Sequence, residues 1–181
     1  MPYEYINEKD KKVLELETRR KIYEVVKKHS GCHFRELERQ SGLATGILKY
    51  HLDFLTKHDL IKKEKDGNNL RYFPNNVEPE NRKLLSILRQ KNIRKIILFI
   101  LANKDCHHDD IVRFLGLSPS TVSWHLKKLV KNGIINQARE GRKTSYKLLI
   151  NEEEMIKLLV LHKESFLDSL VNKTIEMWDI K

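Results

Sequence analysis

The chain contains itself twice. At an offset of about 74 positions, residues 20–72 align with 94–146 without a gap, and about 15 of roughly 53 pairs are identical. Arg20, Lys21 and Ile22 fall on Arg94, Lys95 and Ile96, and Cys32 and His33 on Cys106 and His107. Gly42 and Leu43 meet Gly116 and Leu117; His51, Leu52, Leu55 and Lys57 meet His125, Leu126, Leu129 and Lys131; Gly67 and Tyr72 meet Gly141 and Tyr146. Whatever one copy folds into, the other must fold into as well. Two copies of about 60–70 residues are too few and too long for a solenoid, and each is near the lower size limit for a core that stands alone. PNNVEPEN, residues 74–81, lacks apolar periodicity and reads as a short linker. The expected domains are therefore 1–75 and 76–150, followed by 151–181.

Each copy has the pattern of three helices and a hairpin. Ile22, Val25 and Val26, and Ile96, Ile97, Phe99, Ile100 and Leu101, recur at helical spacing up to the breaks at 29–31 and 103–105. HFREL and HDDIVRFL give short second helices that break at Gly42 and Gly116. Third helices start at Ala44-Thr45 and Ser118-Pro119, a good N-cap followed by a proline suited to the first turn, with Leu48, Leu52, Leu55 and Val122, Leu126, Leu129 as buried stripes. Two β-prone runs then flank Asp66-Gly67-Asn68-Asn69 and Glu140-Gly141-Arg142-Lys143. Helix, helix, tight turn, helix, hairpin is a winged helix-turn-helix, so the expected fold class is mainly α with small β-hairpin wings, in two tandem copies.

The charge points to a polyanion. Lys and Arg exceed Asp and Glu by 35 to 25, a formal charge of +10, and nucleic acid leads over an anionic membrane surface as the partner. No apolar run is long enough to span a membrane and the first residues are no signal peptide. Two distant cysteines exclude a disulfide framework and point to a reducing, cytoplasmic setting.

GCHFRELERQSGLATGILKYHLDFLTKHDLI (31–61) and LGLSPSTVSWHLKKLVKNGII (115–135) resemble archaeal winged-helix transcriptional regulators of the class that includes the arsenical-repressor and multiple-antibiotic-resistance families. The resemblance implies that the third helix enters the major groove of double-stranded DNA, that the wing reaches a minor groove or phosphate, and that dimers read two half-sites. Tandem winged helices also resemble kleisin-associated segregation proteins, in which the fold serves protein contacts, so a protein-interaction module is the alternative function. A third is single-strand or RNA binding, with Tyr50 and Trp124 as stacking platforms.

The basic excess is uneven. Residues 82–150 carry about +11, residues 1–80 about +2 and residues 151–181 about −3, which makes the second repeat the expected main reader. With Val122, Leu126 and Leu129 inward, its third helix turns Ser120, Thr121, Ser123, Trp124, Lys127 and Lys128 outward, behind Ser118. Trp124 either contacts a thymine methyl or sugar or packs against the wing or the other repeat. The first repeat offers Thr45, Lys49 and Tyr50, weakened by Gly46 and Asp53. Arg71, Arg139, Arg142 and Lys143 are the expected wing contacts. His51 and His125 flank the buried leucines and read as structural, with phosphate contact as the alternative.

Cys106, His107 and His108 are candidate metal ligands. Adjacent side chains cannot all converge on one ion, however, and both copies hold Cys-His at the same place, so the expectation is a buried cysteine followed by a capping histidine, without metal or other cofactor. The P-loop, dinucleotide-binding, nucleophile-elbow and zinc-protease signatures are all absent. No enzyme is expected.

Residues 152–178 read as a long amphipathic helix through Met155, Leu158, Leu159, His162, Phe166, Leu170 and Ile175, ending at Trp178. Its apolar surface suggests a homodimer paired through this helix, with folding back on its own chain as the alternative. Asn7 to Leu16 reads as a further helix, open to running on into the first helix of the repeat, with Tyr3 and Tyr5 as anchors.

Overall fold

The computed structural model describes residues 8–103, 106–141 and 143–162. The chain divides into two compact units, Met1–Ser86 and Ile87–Lys181.

The first unit runs α1 (Glu8–Val13), α2 (Glu17–Lys28), β1 (Cys32–His33), α3 (Phe34–Ser41), α4 (Thr45–Lys57), β2 (Ile61–Asp66), β3 (Asn69–Pro74) and the start of α5 (Pro79–Leu88). Residues 14–16 separate α1 from α2: the Leu14 N–H bonds back to the Asp10 and Lys11 carbonyls, while the Leu16 carbonyl opens α2 by accepting from Arg19 and Arg20. A continuous helix is thereby ruled out. Gly42, at φ 67°, ends α3 in the left-handed conformation that glycine adopts without penalty, and the chain turns into α4. Ile22, Val26, Leu37, Leu48, Leu52, Leu55 and Ile61 form the core between α2, α3, α4 and the wing, each almost wholly buried and each contributing about 1.5–3 kcal/mol by leaving water.

The wing is more than a hairpin. β3 lies between β2 and β1, with Cys32 paired to Tyr72 and His33 to Arg71. Gly31 adds an N–H bond to the Tyr72 carbonyl at 2.8 Å. The expected two-stranded hairpin is thus a three-stranded sheet, because the residues that lead into α3 supply its third strand. The stretch read as a linker also differs: Pro74 closes β3 and Pro79 opens α5, whose Arg82 ion-pairs with Glu64 of β2 and donates to the Val77 carbonyl at 2.6 Å.

The second unit repeats the plan with α6 (Lys91–Ala102), β4 (Cys106–His107), α7 (His108–Leu115), α8 (Pro119–Lys131), β5 (Ile135–Glu140) and β6 (Lys143–Leu148), then α9 (Glu152–Leu161). Gly116, at φ 64°, ends α7, and Ser118 caps α8 by accepting from the Thr121 N–H. The sheet order is β4-β6-β5, with Cys106 opposite Tyr146. Ile96, Ile97, Ile111, Val122, Leu126, Leu129 and Ile135 are buried. Asn151 caps α9 by accepting from Glu153 and Glu154, and Met155, Leu158 and Leu159 of α9 are buried. Phe166, Leu170, Ile175 and Trp178, and likewise Tyr3 and Tyr5, lie outside the described residues. No helix among the described residues is long and apolar enough to cross a membrane.

Candidate nucleic-acid interface

In each unit the second helix of a helix-turn-helix pair (α3–α4, α7–α8) carries an exposed face beside a wing. On α8, Val122, Leu126 and Leu129 turn inward, which leaves Ser120, Thr121, Trp124 and Lys127 exposed, with Ser123 and Lys128 half-buried. Three hydroxyls gather at its start: Ser118 Oγ lies 3.1 Å from Ser120 Oγ and 2.8 Å from Thr121 Oγ1. Trp124 is 59% exposed, so it is not spent on packing. Its ring meets His125 edge-on at 5.0 Å, and Lys128 Nζ stands 5.8 Å from its centroid. Tyr50 repeats this arrangement over His51 at 5.0 Å and is 61% exposed.

His51 and His125 are buried beneath these rings, and the Nδ1 of each has no hydrogen-bond partner. Burial, and secondarily Arg19 for His51 and Lys128 for His125, holds both imidazoles below their ordinary range. They stand as packed, neutral rings.

The units differ in what their cations are doing. In the first, Lys63 of the wing is 2.7 Å from Asp53 of α4, Lys62 pairs with Asp59, and Arg71 is 2.7 Å from Asp66 while also donating to the Gly31 carbonyl at 2.9 Å. Arg71 is therefore a brace within the wing rather than the free cation expected at a hairpin tip, because β3 places it beside β1 and not at the turn. Thr45 likewise spends its hydroxyl on Glu38, whereas Lys49 is exposed. In the second unit Lys127, Lys128, Lys131, Lys143 and Lys147 form no ion pair among the described residues. Arg139 is exposed and donates to the Gly141 carbonyl at 3.3 Å. Arg142 lies outside the described residues.

Cys106 and His107 do structural work. Burial, and secondarily Asp110, pushes the Cys106 thiol up to about 12, which keeps it protonated at neutral pH. His107 is the N-cap of α7, and its N–H donates to Asp110 Oδ2 at 3.1 Å. Among the described residues no three His, Cys, Asp or Glu side chains are grouped to hold a metal ion. His108 is turned elsewhere: its Nε2 lies 2.9 Å from Ser123 Oγ, a contact between α7 and α8 that sequence reasoning about ligands missed.

Residues 16–85 match an N-terminal HTH domain family, and residues 89–136 match the family described as winged helix-turn-helix DNA-binding. The chain therefore carries two helix-turn-helix domains in tandem, the second of the winged DNA-binding type. A relative in the archaeon Methanocaldococcus jannaschii, the uncharacterized HTH-type transcriptional regulator MJ1398, is 35% identical over 154 residues, which are 85% of this chain and 37% of that protein's length. The chain thus spans little more than a third of this relative. Among solved structures, reduced HlyU from Vibrio cholerae is 27% identical, covering 44% of this chain and 84% of that one, with a TM-score of 0.41. The DIP2311 protein from Corynebacterium diphtheriae is 15% identical, covering 73% and 26%, with a TM-score of 0.32.

Proposed function

We propose that this chain is a sequence-specific double-stranded-DNA-binding regulator of transcription, with the second unit as its main reader. The observation that carries this is the contrast in cations: those of α8, β5 and β6 are free for phosphate, whereas Lys62, Lys63 and Arg71 of the first wing are occupied within the fold. Ser120, Thr121 and Lys127 face the major groove from α8, with Ser118 and the helix start favourable to a phosphate, and Lys143 and Arg139 clamp the backbone from the wing. The first unit contributes as an auxiliary contact, since Ile47 and Leu70 are half-exposed where the second has Thr121 and Thr144. The active form is a homodimer paired through the C-terminal stretch 151–181, whose apolar residues recur at helical spacing.

The test is selection from a random duplex library with the full chain, followed by binding across a salt series. An enriched site whose affinity falls steeply with salt supports the proposal. Sequence-blind binding rejects it in favour of a protein-interaction role. Preference for single strands favours stacking on the exposed rings of Tyr50 and Trp124.

A further inference from the structure

Ser123 shares a side of α8 with Ser120 and Lys127, and its hydroxyl meets the imidazole of His108, the first residue of α7, with Nε2 2.9 Å from Oγ. A free serine hydroxyl has one donor and two acceptor lone pairs and rotates to suit its partner. Here the neighbour limits it. The other ring nitrogen of His108, Nδ1, faces Asp109 Oδ1 at 3.5 Å. That distance is the outer limit of a hydrogen bond, yet a carboxylate only accepts, so it favours the tautomer with the proton on Nδ1. Nε2 is then the acceptor, Ser123 donates its single O–H to it, and only the Oγ lone pairs face outward.

We propose that His108 is a specificity-determining positioning residue, which fixes Ser123 as a hydrogen-bond acceptor and directs it to a base bearing an exocyclic amino group in the major groove. This rests on the DNA-reading role proposed for the second unit. Adenine N6 and cytosine N4 are the donors displayed there, whereas guanine O6 and N7, thymine O4 and every phosphate oxygen are acceptors. A Ser123 held in this way therefore reads a base and does not grip the backbone. The surrounding charges leave the arrangement intact: Asp110 is engaged by Arg113 at 2.5 Å and by the His107 N–H, so Asp109 is the carboxylate left to face Nδ1. Lys143, across the same hollow on β6, forms no ion pair among the described residues. The first unit lacks the device, with Phe34 and Lys49 at the paired positions.

The experiment uses the full chain and its S123A, H108F and H108K variants, each checked for native circular dichroism and cooperative melting. Selection with wild type and S123A locates the base pair that depends on Ser123. Duplexes are then made with the amino group deleted at that pair, purine replacing adenine or 2-pyrimidinone replacing cytosine. Wild type is expected to lose roughly three- to tenfold in affinity and S123A to lose nothing, while H108F, whose Ser123 hydroxyl is free to turn either way, should bind both orientations of that pair about equally. Lysine at 108 donates and cannot accept, so H108K turns the hydroxyl outward and reverses the preferred orientation of that pair. Its added charge strengthens all sequences alike and is read separately. Should H108F fail to fold, H108K carries the test.

Indifference of wild type to deletion of the amino group overturns the inference, as does an H108F protein that discriminates the two orientations of the pair as sharply as wild type. Enrichment with no base pair responding to S123A overturns it while leaving the DNA-reading role standing. Absence of any enriched site removes both.

Discussion

Asp53 on α4 and Lys63 on β2 meet at 2.7 Å, an ion pair that ties the second helix of the first helix-turn-helix to its wing. The paired positions in the second unit are Lys127 and Gln137, which cannot form it. Such an exposed pair is worth little to stability, about 0–1 kcal/mol, but it removes a cation from the surface available to phosphate. D53N releases Lys63 and deletes an opposing charge. Affinity for random duplex DNA at low salt should rise a few-fold, and the slope of log affinity against log salt should steepen by about 1; a slope unchanged from wild type counts against this account of Lys63.

K127A should weaken binding to the selected site about tenfold or more and flatten the salt slope by about 1. K49A, at an exposed position of the other unit, should change affinity less than threefold. Equal losses in fluorescence-anisotropy titrations indicate two equivalent readers.

Asp59 follows α4 at φ 61°, the one described non-glycine residue at positive φ, and its repeat counterpart is Gly133 at φ 68°. D59G relieves a left-handed backbone at the cost of a surface pair with Lys62, and denaturant unfolding should register a gain of about 0.5 kcal/mol. G133A, where a Cβ meets no neighbour within 4 Å and only the backbone is strained, should cost about 1 kcal/mol.

Acid should destabilise the fold through His51 and His125. Both have folded-state values lowered from 6.5, chiefly by burial. Above that value both states are neutral and stability is at its plateau; as the pH falls below it, the unfolded chain takes up protons first, and stability declines until the folded imidazoles are charged as well. The melting temperature should therefore be level on the alkaline side and drop below about pH 6.5. Replacing both histidines by glutamine should flatten that part of the profile.

Truncation after His162 keeps Met155, Leu158 and Leu159, which are buried, and removes the rest of the apolar stripe read from the sequence. Analytical ultracentrifugation should give a monomer from the truncated chain and a dimer from the whole one; a dimer from both places the interface elsewhere.

The helices of both repeats are legible in the sequence because a 3.6-residue apolar period is bounded by strong stops, above all Gly42 and Gly116. β1 and β4 are not. A two-residue strand has no period to detect, and Cys32 becomes a strand only by pairing with Tyr72 forty residues away. The break between α1 and α2 hides inside an apolar pattern that continues through Leu14 and Leu16, and α5 hides under prolines and glutamates that suit a linker as well as a first turn. At the candidate interface, helix periodicity identifies the outward face of α8 correctly. Which cations on it are available depends on contacts across the fold, such as Arg71 with Asp66 and the Gly31 carbonyl, and a charge count along the chain does not contain them. His108 stands in a run of residues that suggests a ligand cluster, whereas its neighbour in space is a serine.

The strands Cys32–His33 and Cys106–His107 sew each wing to the start of its helix-turn-helix. The base of each wing is consequently tied to its helices, with Tyr72 and Tyr146 as the tethered positions. On the proposed reading, a duplex that does not fit this spacing bends or changes groove width, so base steps that deform easily should be selected at positions no side chain touches.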